Sequence, residues 1–353
     1  MIYENVTILL KGKIGKQREK VLTIKDIAKM AGVSVSTVSR VINDSGYVKE
    51  EKKDLIKRII AETGYRPSAV ARNLTDNSSD TIGLVMPERV NPFFMKIYDG
   101  VAGKADERQM SVLFFATADD EKRQTEILEY LKSQRVRGVL ITPGLYYTEH
   151  TVESLKRLED SGIPVVLIDR NIEGGAFDAI LINNRDAVYN AVKSIIASGH
   201  RKIAVVACPD RSRKGTAKLD GYKDCMNEAG IEIKKEWIYE GEFTPLSGYE
   251  ACEYFMGLKE ELRPTAVIAF SSSGLIGSMK FFNESGLRIG KDVKLVGFDD
   301  IGTVADIGFD VTVIERPMKI MGEMAFELLM EKIHDPSRGK IKEIILSTQI
   351  RSV

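Results

Sequence analysis

At 353 residues, with 43% apolar and 29% charged side chains, the chain is long enough for two or three domains and has neither a disordered nor a fibrous composition. Its net charge of zero hides an asymmetry, since residues 1–80 hold 15 Lys and Arg against 10 Asp and Glu while the remainder holds 36 against 41, so that one end alone suits contact with phosphates. No apolar run reaches transmembrane length, and Val6 to Leu10 is too short for a signal peptide, which argues against a membrane or secreted protein.

Residues 1–22 carry Lys11, Lys13, Lys16, Arg18 and Lys20. Two readings stand. One is a disordered basic arm that adds phosphate contacts. The other is a start codon assigned too early, with translation beginning near Val21. Next, Ile24, Ile27, Ala28 and Ala31 recur at helical spacing and lay one apolar stripe along a short helix. Gly32 stops it, and Ser34 is a good N-cap for a second helix. There Val38, Val41 and Ile42 point inward, while Ser36 and Arg40 lie one turn apart on the opposite face with Thr37 at its edge. Two short helices joined by a glycine turn form a helix-turn-helix, and hydroxyls with a guanidinium at helical spacing suit base edges in a major groove. Pattern alone also fits a plain two-helix piece of a core.

Asp44-Ser45-Gly46 reads as a loop. Glu50 to Thr63 is a third helix with Leu55, Ile56, Ile59 and Ile60 facing in, ended by Gly64 and Pro67. Ser68 can cap a helix of about two turns reaching Leu74, a length that is marginal in isolation. Thr75 to Asp80 is a polar tether. From Thr81 short apolar runs alternate with amphipathic helices. Strands are predicted at Ile82–Met86, Val112–Ala116, Gly138–Thr142, Val165–Asp169, Ile180–Ile182, Ile203–Ala207, Ala266–Phe270 and Leu295–Phe298. Helices are predicted at Pro92–Arg108, Glu121–Ser133, Thr151–Ser161, Asp186–Ser198, Thr216–Glu228, Ser247–Met256 and Leu275–Asn283. Such alternation implies parallel sheets covered by helices on both faces, and the span is too long for one sheet.

The runs Asp26-Ile27-Ala28, Ala31-Gly32-Val33-Ser34 and Thr37-Val38-Ser39-Arg40-Val41-Ile42-Asn43 closely resemble the start of the LacI/GalR family of bacterial repressors. Arg66 to Leu74 resembles that family's hinge helix. Ser198-Gly199-His200-Arg201-Lys202-Ile203 and Pro264-Thr265-Ala266 resemble its body. The resemblance begins near Leu22, which favours the late start. It implies an all-α helix-turn-helix head joined by a hinge helix to an α/β body of two doubly wound parallel-sheet lobes, like periplasmic sugar-binding proteins. The expected divisions are 1–22, head 23–66, hinge and linker 67–80, and body 81–353. Within the body, one lobe is expected from 81–183 with 315–337 and the other from 184–314 with 338–353. The DNA-facing set is Thr23, Val35, Ser36, Thr37, Ser39, Arg40 and Asn43, with Ala71 and Leu74 of the hinge. In that family paired hinges enter the minor groove, and Leu74 matches the leucine that wedges the central step of a palindromic operator.

Ligands of open α/β sheets bind beyond the carboxyl ends of the strands. The candidates there are Phe93 and Phe94, which suit packing on a sugar ring, Asp169 with Arg170, and Asp299, whose carboxylates can bind hydroxyls. Two positions depart from the family pattern. Lys218 stands where an Arg is usual, and Ser271 stands where Asn-Asp is usual. Lys218 favours an anionic sugar derivative. A Lys there also occurs in catabolite control proteins of the family, so a phosphorylated carrier protein is the alternative co-effector. His150, His200 and His334 sit in no catalytic or metal spacing, and Gly174-Gly175 is no phosphate loop. Cys208, Cys225 and Cys252 are scattered and odd in number, as reduced thiols would be. The expectation is a cytoplasmic homodimer, or a tetramer, that binds double-stranded DNA and a sugar-like effector, with no enzyme activity, cofactor, metal or membrane partner.

Overall fold

The structure, a computed structural model, describes residues 22–65, 80–207, 213–299, 310–336 and 339–352, the side chains of 213–215 excepted. It divides into a unit at 1–77 and a unit at 78–353.

In the first unit three helices, α1 (Ile24–Ala31), α2 (Val35–Ile42) and α3 (Glu50–Thr63), share a core of Ile27, Ala28, Ala31, Val38, Val41 and Ile56. Each helix buries one stripe, and partly buried apolar residues such as Ile24, Ile42, Ile59 and Ile60 pack around these six. Gly32 ends α1 in the left-handed region (φ 63°), where its N–H and that of Val33 satisfy the Lys29 and Ala28 carbonyls. A residue with a Cβ would be strained there. Ser34 then opens α2 by accepting from the Thr37 N–H at 3.2 Å.

The second unit runs β1 (Thr81–Met86), α4 (Pro92–Glu107), β2 (Ser111–Ala116), α5 (Glu121–Ser133), β3 (Val139–Ile141), α6 (Glu149–Asp160), β4 (Val165–Ile168) and β5 (Asp178–Ile182). It continues through α7 (Asn184–Ala197), β6 (Ile203–Ala207), α8 (Arg213–Glu228), β7 (Ile238–Glu240), α9 (Pro245–Gly257), β8 (Ala266–Ala269), α10 (Ser272–Ser285) and β9 (Lys294–Phe298). It closes with β10 (Val311–Glu315), α11 (Met318–His334), β11 (Glu343–Leu346) and β12 (Gln349–Ser352). One sheet has the order β11-β5-β4-β3-β1-β2 and the other β12-β10-β9-β8-β6-β7. Strand pairs are parallel except β10 with β12. The inner strands are buried on both faces, so they read as continuous apolar runs rather than alternating ones.

Two expectations need correction. The return to the second lobe comes later than predicted. Residues 338–353 do not all join it, because Glu343–Leu346 pairs in register with Ala179–Ile182 in the first sheet and only Gln349–Ser352 enters the second. The apolar run Ile344 to Leu346 covers an open edge of β5, a preference that a single cut at 338 ignores. The chain therefore crosses between lobes three times, after β5, after β10 and after β11. Helix α11 was also missed as an element. It is buried along most of its length against α4 and the first sheet, from Met318 to Met330, so it lacks the clean polar stripe that marks a surface helix.

Candidate DNA-reading face and effector cleft

On the head, α2 presents Val35, Ser36 and Arg40 to solvent, with Asn43 exposed at its end and Thr37 and Ser39 half-buried. Val38 and Val41, on the other side, anchor the helix in the core. The hydroxyls of Ser36 and Thr37 each lie 2.8 Å from Ser34 Oγ, so a polar cluster tops the first turn. The stem of Arg40 passes Gly46, where a Cβ would come within 3.7 Å of Cδ. Thr23 has a capping role: its N–H and hydroxyl both donate to the Asp26 carboxylate, at 2.9 and 2.6 Å. The expected hinge residues Ala71 and Leu74 lie outside the described residues.

In the body the strand ends do converge. Asp169 follows β4 and Asp299 follows β9, one in each lobe, and the two have the same backbone geometry. Both are left-handed, at φ 67° and 68°, and each N–H donates to the strand alongside, Asp169 to Ile180 and Asp299 to Ile314. Such a conformation is uncommon for a residue with a Cβ, and Asp is among those that tolerate it best.

What meets those carboxylates is Arg316, on the crossing between β10 and α11. Its Nε and Nη2 donate to the two oxygens of Asp299 at 2.7 and 2.5 Å, and its Nη1 lies 3.6 Å from Asp169 Oδ1. The guanidinium carbon sits 3.7 Å from the centre of the Phe93 ring and 5.5 Å from that of Phe298. Arg316 is 7% exposed and Asp299 is 2% exposed. The sequence reading missed Arg316 because it missed β10, whose Thr312 and Glu315 interrupt the apolar run that would announce a strand.

The remaining candidates surround this group, and most are already engaged. Phe93 and Phe94 are buried at the start of α4 and meet edge to face at 5.0 Å, with Asn91 capping the helix. Lys218 is buried on α8; its Nζ donates to the Phe270 carbonyl at 2.6 Å and lies 3.6 Å from the Phe298 ring centre. That carbonyl takes one of the three donors of the ammonium, and Lys218 still lines the cavity. Arg170 Nη1 donates to Asp119 at 2.5 Å and to the Pro143 carbonyl at 2.8 Å. Ser271 caps α10 by accepting from the Gly274 N–H. Asp299 is not among the residues lining the cavity beside Arg316, and each of its carboxylate oxygens accepts from that guanidinium. The cavity is lined by Phe93, Phe94, Asp169, Arg170, Lys218 and Ser271 as expected, and by Glu88, Asp119, Phe243, Phe270 and Arg316, which were not. Its free volume is about 70 Å³. Among the described residues no cluster of metal-binding side chains occurs, and no helix is long and apolar enough to cross a membrane.

Residues 23–68 match the bacterial regulatory proteins of the lacI family, and residues 79–351 match the periplasmic binding proteins and sugar binding domain of the LacI family. The chain belongs to the LacI family. It is a DNA-binding transcriptional repressor with a periplasmic-binding-protein-like body. Two LacI relatives illustrate the likeness. The HTH-type transcriptional repressor PurR of Glaesserella parasuis serovar 5 (strain SH0165) is 32% identical over 94% of this chain and 97% of its own. The ribose operon repressor of Haemophilus influenzae (strain ATCC 51907 / DSM 11121 / KW20 / Rd) is 34% identical over 90% of this chain and 93% of its own. The fold matches that of the lac repressor dimer bound to operator and the anti-inducer ONPF, with a TM-score of 0.80 over 94% of this chain and 98% of the other at 24% identity.

Proposed function

We propose that this LacI-family repressor works in the cytoplasm as a homodimer on a palindromic operator, and that a sugar or sugar derivative bound between the lobes of its body sets its DNA affinity. The observation that carries the DNA half is α2. It is capped, anchored by Val38 and Val41, and displays Val35, Ser36 and Arg40 outward. A rigid short helix with a guanidinium and hydroxyls on its free face suits direct readout in a major groove, and an Arg paired bidentately to guanine is the commonest such contact. Two heads related by two-fold symmetry call for two half-sites. In sequence, Ala71 and Leu74 occupy the positions of a hinge that wedges the minor groove, where unstacking is offset by contacts in bent DNA.

The body supplies the regulatory half. A ligand touching both lobes shifts the balance between their relative arrangements, and DNA affinity follows by linkage. The match to a sugar binding domain and the name of the ribose operon repressor support a sugar. The test is an operator gel shift with the full chain over a panel of neutral and anionic sugars. At least one sugar should change operator affinity. If none does, and a phosphorylated carrier protein does, the small-molecule reading fails and the protein co-effector takes its place.

A further inference from the structure

Where the strand ends of the two lobes meet, the chain carries its own bridge. Arg316 follows β10 of the second sheet and precedes α11, which packs on the first. Its Nε and Nη2 donate to Asp299, in the second lobe. Its third nitrogen, Nη1, lies 3.6 Å from Asp169 Oδ1, in the first lobe. The same guanidinium carbon is 3.7 Å from the ring centre of Phe93, in the first lobe, and 5.5 Å from that of Phe298, in the second. Each kind of contact is thus made twice, once per lobe. By contrast, the pairs Arg170–Asp119, Arg185–Asp224 and Lys332–Glu159 each stay within one lobe.

The physics of this bridge favours closure. The side chains of Arg316, Asp169 and Asp299 are buried, so salt screens them little. Two buried carboxylates meeting at one place repel, and a cation between them turns that repulsion into attraction. The bidentate pairing with Asp299 fixes the plane of the guanidinium, so little rotamer freedom is left to lose when Asp169 and Phe93 come up to it. Both carboxylates are held on strand ends by backbone hydrogen bonds, Asp169 to Ile180 and Asp299 to Ile314. Only about 70 Å³ stays free beside the guanidinium, well under the roughly 300–1,000 Å³ usual for a ligand pocket.

We propose that Arg316 is a built-in latch, which holds the lobes closed when no effector is bound. Asp299 keeps the guanidinium extended from the second lobe, and Asp169 and the Phe93 ring receive it in the first. Closure then needs no ligand to bridge the lobes. An effector that engages Asp169 competes with the protein's own guanidinium, and the latch sets how much of its binding energy reaches the lobes. The latch stands whether or not that effector is a sugar.

The test is hydroxyl-radical footprinting of the full chain, shown beforehand by native mass spectrometry to carry no small molecule. Asp169→Asn keeps the size of the side chain and suits the left-handed backbone. It leaves the Asp299–Arg316 pair whole, so no charge is stranded in the second lobe. In wild type Phe93 and Phe298, 4% and 0% exposed, should oxidise slowly. In Asp169→Asn both should oxidise at least about threefold faster as the open population grows, and the radius of gyration from small-angle scattering should rise. Arg316→Lys, which keeps the charge and loses the fork, should fall between the two. Phe255, buried in the core of the second lobe, should oxidise at the wild-type rate throughout. Unchanged oxidation of Phe93 and Phe298 in Asp169→Asn would overturn the proposal, as would rapid oxidation of both in wild type. Faster oxidation of Phe255 as well would mean that the bridge holds the fold rather than the lobes, and would overturn it too. No sugar enters these measurements, so the sugar reading stands or falls separately on the operator gel shift.

Discussion

At the residue scale the body turns on Arg316. A buried guanidinium with a bidentate carboxylate is stable as a pair, and removing one partner leaves an uncompensated charge. Asp299→Ala should therefore destabilise the body by about 3–5 kcal/mol, read as a lowered urea midpoint. Asp299→Ala combined with Arg316→Met should cost less than the two single losses added, because the guanidinium leaves with its carboxylate and only Asp169, 3.6 Å away, loses a neighbour. Strictly additive losses would deny that the pair acts as a unit. Cys252 makes a second case. Burial pushes its thiol up to about 12, with a hydrogen bond to Ser278 opposing, and the residue is fully buried. The thiolate is the reactive form, so alkylation of Cys252 at pH 8 should wait for unfolding. Peptide mapping after iodoacetamide treatment checks this, and rapid labelling of folded protein would contradict it. Much at this scale was legible in sequence: Phe93, Asp169 and Lys218 do converge, since residues after parallel strands share one edge. Arg316 was not, because its strand went unread. Nor was the pairing of Asp299 with Arg316, 17 residues on, because it depends on where the unread strand ends.

At the element scale the helix pairs depend on glycine. A Cβ at Gly100 on α4 would lie 2.1 Å from the Lys319 carbonyl oxygen on α11, and one at Gly322 would lie 2.1 Å from the Ile97 carbonyl oxygen. The two helices meet backbone to backbone there. Gly100→Ala gains helix propensity but must push α4 off α11, and overpacking of this kind costs about 1–3 kcal/mol. The variant should melt earlier than wild type by calorimetry, whereas Gly103→Ala, with open space around it, should not. Higher stability for Gly100→Ala would show that the close approach relaxes freely. Periodicity found α1, α2, α3 and most body helices within a few residues, because each has one buried stripe. It did not find β7, β10, β11, β12 or α11. Edge strands such as β12 expose most side chains, and in α11 apolar positions are both buried and exposed, Ile320 among the latter, so neither shows the two-sided pattern that periodicity detects.

At the scale of the whole molecule, head and body have separate cores and separate chemistry. The division into a helical head and a two-lobed body was legible in the switch of pattern at Thr81 and in the runs that resemble the LacI/GalR family. The lobe boundary was not fully legible, because the third crossing falls between two short strands of opposite allegiance. The central claim is that α2 reads a two-fold symmetric operator. The measurement that bears on it most directly is selection of binding sites from randomised DNA by the full chain, run beside Arg40→Ala at fixed salt. The account predicts one palindromic motif for wild type, and for Arg40→Ala a motif relaxed at one base position in each half-site with a loss of about 1–3 kcal/mol. No enriched motif, or an identical motif from both proteins, would contradict it.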